Sequence, residues 1–351
     1  MNDTSPSDGL RVGVVGLGRL GIAHAARLGH VPGARLVAIA DVHGGARASA
    51  RGMGLAVPAF RDVRRMLARA EPEAVVVCVP EAQRPAVARA AIEAGRAVLI
   101  EHPMAPTLDQ ARQLVRQAAE RGARLAVAHP LAFDPVFAQA AAFVATGALG
   151  RLTNASASMF LSRVFAPRAA RHARASGGVV AQVASDLLLV LERMFGRPQQ
   201  VRATWTRLYG PHEDELHGTL HVEHRGAPLA VGFDASWSAP GYLRAATVIE
   251  LHGERGSLLA SDDALEFELK DAAGGMPSGY TRVRAPGLPH VATFDLGGDA
   301  PWLEDAAFVA WAAGGAEPPH AADAALDVER VVDALYRSAR NGGAAVAVGE
   351  P

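Results

Sequence analysis

The sequence has one cysteine, Cys78, and one lysine, Lys270, among 351 residues; its other basic residues are arginine. A single thiol excludes an intramolecular disulfide framework and any cysteine-rich zinc or iron–sulfur site, and it implies a reducing compartment. Any chemistry that needs an amine has one candidate. No apolar run reaches the ~20 residues that span a bilayer, and the N-terminus lacks a basic stretch followed by an apolar one. The expected location is the cytoplasm. Neither charge sign dominates: the formal net charge is −1. A broad polyanion-binding surface, and with it nucleic acid as a partner, is excluded. The histidines are scattered, and no expected helix carries an H-x-x-x-H or H-E-x-x-H pair, so no metal site is expected.

What is present is a folded, two-core composition: 50% of the residues are hydrophobic and 20% charged. The length suits two domains of ordinary size. The opening segment Leu10–Val15 reads as a short buried strand that runs into Gly16-Leu-Gly-Arg-Leu-Gly21. A helical stretch, Ile22 to Leu28, follows, and Arg35–Ala40 is a second strand ending at Asp41, about 20 residues after the last glycine. Strand, G-x-G-x-x-G, helix, strand and acid in this order form a dinucleotide-binding unit. Gly16 makes the tight turn, Gly18 lets the backbone approach a pyrophosphate, and Gly21 permits close helix–strand packing. The diphosphate would rest on the helix N-terminus, where N–H groups and the dipole favour anions. Leu17, Arg19 and Leu20 complete this turn.

Asp41 bears on the choice of cofactor. A carboxylate at the end of the second strand accepts from the adenosine ribose hydroxyls and repels a 2′-phosphate, so NAD(H) is expected ahead of NADP(H). Arg47 and Arg51 lie just downstream and leave a route for NADP(H) open. The alternation then continues through helix Val63–Ala70, strand Ala74–Val79, helix Pro85–Ala94 and strand Ala97–Ile100. Repeated β and α segments with continuous apolar strands indicate a parallel sheet covered on both faces. Cys78 lies inside such a strand and is expected to be a buried structural thiol. Val79 and Pro80, at its end, are expected at the cofactor.

The run Ala90-Ala-Ile-Glu-Ala-Gly-Arg-Ala-Val-Leu-Ile-Glu-His-Pro103 resembles the glucose–fructose oxidoreductase, inositol dehydrogenase and MocA family, abbreviated Gfo/Idh/MocA. Val127-Ala-His-Pro-Leu-Ala-Phe-Asp-Pro135, Gly147-Ala-Leu-Gly-Arg151, Ser176-Gly-Gly178 with Gly196 after it, and the stretch Phe308 to Gly342 extend the likeness over nearly the whole chain. The resemblance implies a Rossmann dinucleotide-binding domain, residues 9–129, and a C-terminal α+β domain, residues 130–351, with a mainly antiparallel open sheet. The terminal helices would pack back on the N-terminal domain. The sheet's open face would make a homodimer or homotetramer.

The same resemblance implies site residues. Family dehydrogenases have E-K-P where this chain has Glu101-His102-Pro103, so His102 stands in place of the lysine that contacts the reacting hydroxyl and the ribose. On the helix after Gly178, the positions of the family's aspartate and histidine hold Gln182 and Asp186. The asparagine and arginine of the V-G-H-N-x-R segment are Pro130 and Ala132. An imidazole, with an ordinary pKa of about 6.5, can exchange protons near neutral pH more readily than a lysine near ~10.4. The expected activity is therefore NAD(H)-dependent hydride transfer to or from a small polar alcohol, carbonyl or imine. His102 would handle the proton, with Asp186 and Gln182 nearby. His129, Arg163 and His172 are weaker candidates for substrate contacts, and His24 is expected to pack in the first helix. Two rivals remain at this level: a cofactor- or sugar-binding regulator on the same fold, and an enzyme using bound NAD for elimination or epimerisation without net redox change.

In the second half, Arg151–Phe160, Gln200–Leu208, Leu216–His224, Ala230–Ser238, Ala246–Gly253 and Leu265–Lys270 read as strands. Gly177–Phe195, Pro301–Trp311 and Ala321–Arg340 read as helices, and Asp271–Gly298 as a loop.

Overall fold

The computed structural model describes residues 9–162, 178–208, 213–242, 245–284 and 298–349. The chain divides into two compact units. The first runs to Pro130 and takes in, from much later in the chain, the helix Asp299–Ala312 and the segment to Leu326; the second holds the remainder.

The first unit is built on six parallel strands in the order β3-β2-β1-β4-β5-β6. These are β1 Leu10–Val15, β2 Ala34–Ala40, β3 Ala59–Phe60, β4 Ala74–Val77, β5 Ala97–Glu101 and β6 Leu125–Ala128. Helices α1 Arg19–Leu28, α2 Gly44–Gly52, α3 Val63–Ala70, α4 Arg84–Glu93 and α5 Leu108–Glu120 connect them. Strand β4 is buried at every position, as its run of alanine and three valines requires. Two apolar clusters flank the sheet. One gathers Met66, Ile92, Ile100 and Leu114; the other gathers Leu28, Ile39, Leu99 and Phe308. The strand order reverses between β1 and β4, which is where an open α/β sheet leaves a crevice for a ligand. Local signals set the helix ends: Asp62 and Thr107 accept from the backbone N–H groups of Arg65 and Gln110, three residues on.

The second unit contains a nine-stranded sheet, with strands in the order β14-β13-β12-β11-β7-β10-β9-β8-β15. In chain order these are β7 Leu152–Phe160, β8 Gln200–Thr206, β9 Glu215–His224, β10 Ala227–Ser236, β11 Ala246–Gly253, β12 Gly256–Ser261, β13 Ala264–Leu269, β14 Gly279–Arg284 and β15 Val346–Ala347. All neighbours are antiparallel except β7 and β10. Along β7, Ala155, Ala157 and Met159 are buried while Asn154 and Ser156 are exposed, so one face is covered and the other is polar. Helices α6 Pro135–Thr146 and α7 Ser185–Phe195 pack against this sheet.

Two expectations need correction. The stretch Asp271–Gly298 is not all loop: Gly279–Arg284 forms β14, an edge strand paired with β13. Its alternation is real, but it is embedded in glycine and proline that read as a turn region. The helix expected over 177–195 is not uniform either. Residues Val180–Ala184 form a π turn before α7 begins at Ser185. Acceptors from outside the helix meet its first N–H groups: the Ala181 N–H donates to the Tyr336 hydroxyl at 3.2 Å, and Glu213 Oε1 lies 3.5 Å from the Val180 nitrogen. A Cβ at residue 178 would fall 1.8 Å from the Glu213 carboxyl, so glycine there makes room for that acid.

Candidate active site

The crevice between β1 and β4 is shaped by three glycines with different tasks. Gly16 has φ +92°, and a Cβ there would lie 2.6 Å from the Cys78 carbonyl carbon. A Cβ at Gly21 would lie 1.8 Å from the Gly16 oxygen. Both positions are therefore closed to any side chain. At Gly18 a Cβ would meet nothing within 4 Å. That opening, at the N-cap of α1, is the room a diphosphate needs beside the first helical turn. The helix begins at Arg19, three residues earlier than its apolar pattern suggests, so Arg19, Leu20 and Gly21 supply that turn. Leu17 is buried, whereas Arg19 and Leu20 are exposed.

Asp41 closes the other side. Its Oδ2 accepts from the Leu17 N–H at 2.7 Å and its Oδ1 from the His43 N–H at 2.8 Å. The carboxylate is thus fixed against the glycine turn at the end of β2. Arg47 Nη1 donates to the Asp41 backbone oxygen at 2.5 Å, which places a guanidinium beside the same corner.

After β4, Val79 is buried and Pro80 exposed. Arg84, which sequence reasoning passed over, ties this turn to the end of β5: its Nε donates to the Val79 oxygen at 3.0 Å and its Nη1 to the Pro103 oxygen at 2.7 Å. The His102–Pro103 peptide is cis. His102 is half-buried and stacks on His129, which follows β6. His129 is itself buried, its N–H bonded to Glu304 Oε1 and its Nδ1 3.2 Å from the Val127 oxygen. Burial and the adjacent charge of His102 hold the His129 imidazole well below its ordinary range, so it is neutral.

Glu101 points inward and meets His24 of α1, its Oε1 3.2 Å from Nε2. Expected as a cofactor contact, it is 6% exposed. Burial would push its carboxyl up, but the hydrogen bond and charge of His24 bring it down to about 2. Burial would likewise lower His24, yet Asp305, 2.6 Å from its Nδ1, and Glu101 raise it to about 10. His24 packs in the first helix as expected, and it does so as an imidazolium between two carboxylates. His24, Cys78 and Glu101 have ligand-type atoms within 4.8 Å of one another. Both imidazole nitrogens are committed to carboxylates, so a cation would have to displace a firmly held proton.

The remaining expected residues lie in the second unit. Gln182 sits in the π turn and Asp186 in the first turn of α7; both are half-buried. Arg163 and His172 lie outside the described residues.

Comparison with known proteins agrees with this geometry. Residues 10–129 match the model of the oxidoreductase family GFO_IDH_MocA, described as an NAD-binding Rossmann fold. Residues 137–259 match the GFO/IDH/MocA C-terminal domain. The chain belongs to the Gfo/Idh/MocA family. Inositol 2-dehydrogenase 1 of Saccharopolyspora erythraea is 37% identical over 144 residues, 40% of this chain and 43% of that protein. Inositol 2-dehydrogenase of Rhizobium meliloti is 26% identical over 279 residues, 78% of this chain and 81% of that protein. Several of the curated relatives are matched over only about two-fifths of their own length, as in the 43% of the S. erythraea protein. Among solved structures, levoglucosan dehydrogenase in complex with NADH and levoglucosan superposes with a TM-score of 0.84 at 21% identity, covering 97% of this chain and 100% of that one. That likeness concerns the fold.

Proposed function

We propose that this family member is an NAD(H)-dependent oxidoreductase that moves hydride to or from a small polar alcohol or its carbonyl counterpart, with cyclitols and sugars as the first substrate class to test. The observation that carries this reading is the Asp41 carboxylate, held by the Leu17 N–H beside a glycine turn that is open only at Gly18. Relatives named as inositol 2-dehydrogenases support the substrate class.

The nicotinamide of bound NAD supplies the hydride acceptor or donor. Every other step falls to the chain's own side chains. Gly18 and the first turn of α1 seat the diphosphate, and Asp41 accepts from the adenosine ribose, with NADP(H) disfavoured by its charge. Arg84 holds the turns after β4 and β5 in register through their carbonyls. His102 takes the hydroxyl proton during oxidation at a ring nitrogen and returns it during reduction. His129, neutral beneath it, keeps the ring in place without competing for the charge. Gln182 and Asp186 are proposed to orient the substrate hydroxyls, and the polar face of the nine-stranded sheet to pair two copies of the chain.

The experiment is a fluorescence titration of the purified protein with NADH and with NADPH, followed by NAD+-dependent oxidation of a cyclitol and sugar panel. Selective NADH binding with turnover is expected. A folded sample that binds neither nucleotide overturns the proposal.

A further inference from the structure

His24, Arg27 and Asp305 have no part in the chemistry above, yet they are among the most buried charges of the first unit. With Glu101 they form a chain of two cations and two anions, Arg27–Asp305–His24–Glu101. His24 Nδ1–H donates to Asp305 Oδ1 at 2.6 Å, and Arg27 Nε donates to Asp305 Oδ2 at 2.7 Å. His24 Nε2–H donates to Glu101 Oε1 at 3.2 Å. The four side chains are 0 to 7% exposed. Burying four charges is costly and is tolerable only when every one is paired. Seating α1 against the sheet does not need them, because Gly21 already brings the helix into contact with Gly16 and Cys78.

His24 bonds to both acids. Its ring is rigid, so the two nitrogens fix the separation of Asp305 from Glu101. It also stands one turn beyond Gly21 on the helix whose start forms the proposed diphosphate seat, and Glu101 immediately precedes His102 in the chain. We propose that His24 is a positioning residue: anchored by Asp305, its ring sets the place of Glu101 and thereby aligns His102 with the glycine-rich turn. The inference rests on the reading of His102 as the proton-handling group.

The two bonds can be separated by substitution. In His24→Asn the amide nitrogen reaches the place of Nδ1, keeping the Asp305 bond and losing Glu101. In His24→Gln it reaches the place of Nε2, keeping Glu101 and losing Asp305. Both variants lose a charge and should melt earlier, which a purely structural role also predicts. The discriminating readouts are the His102 ring resonances in histidine-labelled protein and the NADH dissociation constant. The Gln variant, which keeps the Glu101 bond but loses its Asp305 anchor, should change both less than the Asn variant does. The Asn variant should shift the His102 resonances and weaken NADH about tenfold, a usual size for coupling between two sites. Equal behaviour of the two variants in both readouts overturns the proposal.

Wild-type protein that binds no NADH would overturn the proposed function instead, and the resonance readout would still decide here. If a variant does not fold, a pH titration of the wild type serves. Among the described residues, the groups facing His24 are Asp305, Glu101, Arg27 and Cys78. The His102 resonances should show a step when His24 loses its proton near pH 10, and a flat response there overturns the assignment.

Discussion

His102 and His129 lie ring over ring, their centroids 5.4 Å apart and their planes 19° from parallel. Two stacked imidazoles cannot both be charged in this setting, and burial assigns the neutral role to His129. The half-buried His102 is the member of the pair proposed to handle the proton.

This division of labour predicts the pH behaviour. With His102 as the proposed proton-handling group, reduction and oxidation should depend on pH in opposite senses. His102→Ala should lower kcat by roughly 10²- to 10⁴-fold, flatten that dependence and leave NADH binding intact. His129→Phe keeps a ring beneath His102 and should keep the dependence. Steady-state rates from pH 5 to 9 check both variants, and a pH dependence that survives in His102→Ala refutes the assignment.

The three glycines of the turn should separate folding from binding. Gly21→Ala places a methyl 1.8 Å from the Gly16 oxygen, where only backbone could yield. A loss of about 2 kcal/mol or more in urea unfolding is expected. Gly18→Ala meets nothing within 4 Å and sits at φ −72°, so stability should be unchanged. Its methyl occupies the proposed diphosphate approach, and NADH affinity should collapse. Tight NADH binding by Gly18→Ala would remove the turn from the cofactor site.

Asp41 is fastened by two backbone N–H groups. Asp41→Ala leaves both donors without this acceptor and removes the proposed ribose partner. A charge-assisted hydrogen bond contributes about 1.5–3 kcal/mol, so NADH affinity should fall roughly 10- to 100-fold. NADPH, freed from repulsion and close to Arg47, should lose much less. The ratio of the two dissociation constants is the readout, and an unchanged ratio counts against the role given to Asp41.

Glu192 on α7 gives a stability prediction in the second unit. Burial, with the charge of Asp327, raises its carboxyl to about 8 against the opposing Arg197 and Arg330. It lies beside a small cavity lined by Leu188, Leu191, Phe195, Val222, Val231 and Val331. The folded state therefore keeps a proton that the unfolded chain releases near 4.5. Its contribution is complete below that value and is lost as pH rises through about 8. Glu192→Gln should match wild type in urea at pH 4.5 and exceed it by on the order of 2 kcal/mol at pH 9. Parallel profiles for the two proteins would show that Glu192 is not the group concerned.

The glycine turn and Asp41 were readable because their signals are local: a strand, a fixed spacing, a helix start. The parallel sheet was readable because continuous apolar runs belong to strands covered on both sides. The partners of His24 were not readable, since Asp305 lies 281 residues away and an ion pair leaves no periodicity. Arg84 was missed for a similar reason: its targets are backbone carbonyls, which have no sequence signature. The π turn was hidden because it depends on Glu213 and Tyr336, acceptors brought in by other elements. In β14 the glycine and proline around the strand concealed a real alternation, since an edge strand needs only one partner.

Because Asp305 and Phe308 belong to the first unit, that unit is not a contiguous stretch of chain. During synthesis Arg27 waits 278 residues for its carboxylate partner. A ribosome-bound or recombinant fragment ending near Pro130 would carry the complete parallel sheet, yet would leave His24 with Glu101 but not Asp305, deprive Arg27 of Asp305, and leave the surface under Phe308 bare. Its final consolidation must follow synthesis of the second unit, and dissection of the chain at residue 130 should yield an aggregation-prone half rather than a free-standing nucleotide-binding module.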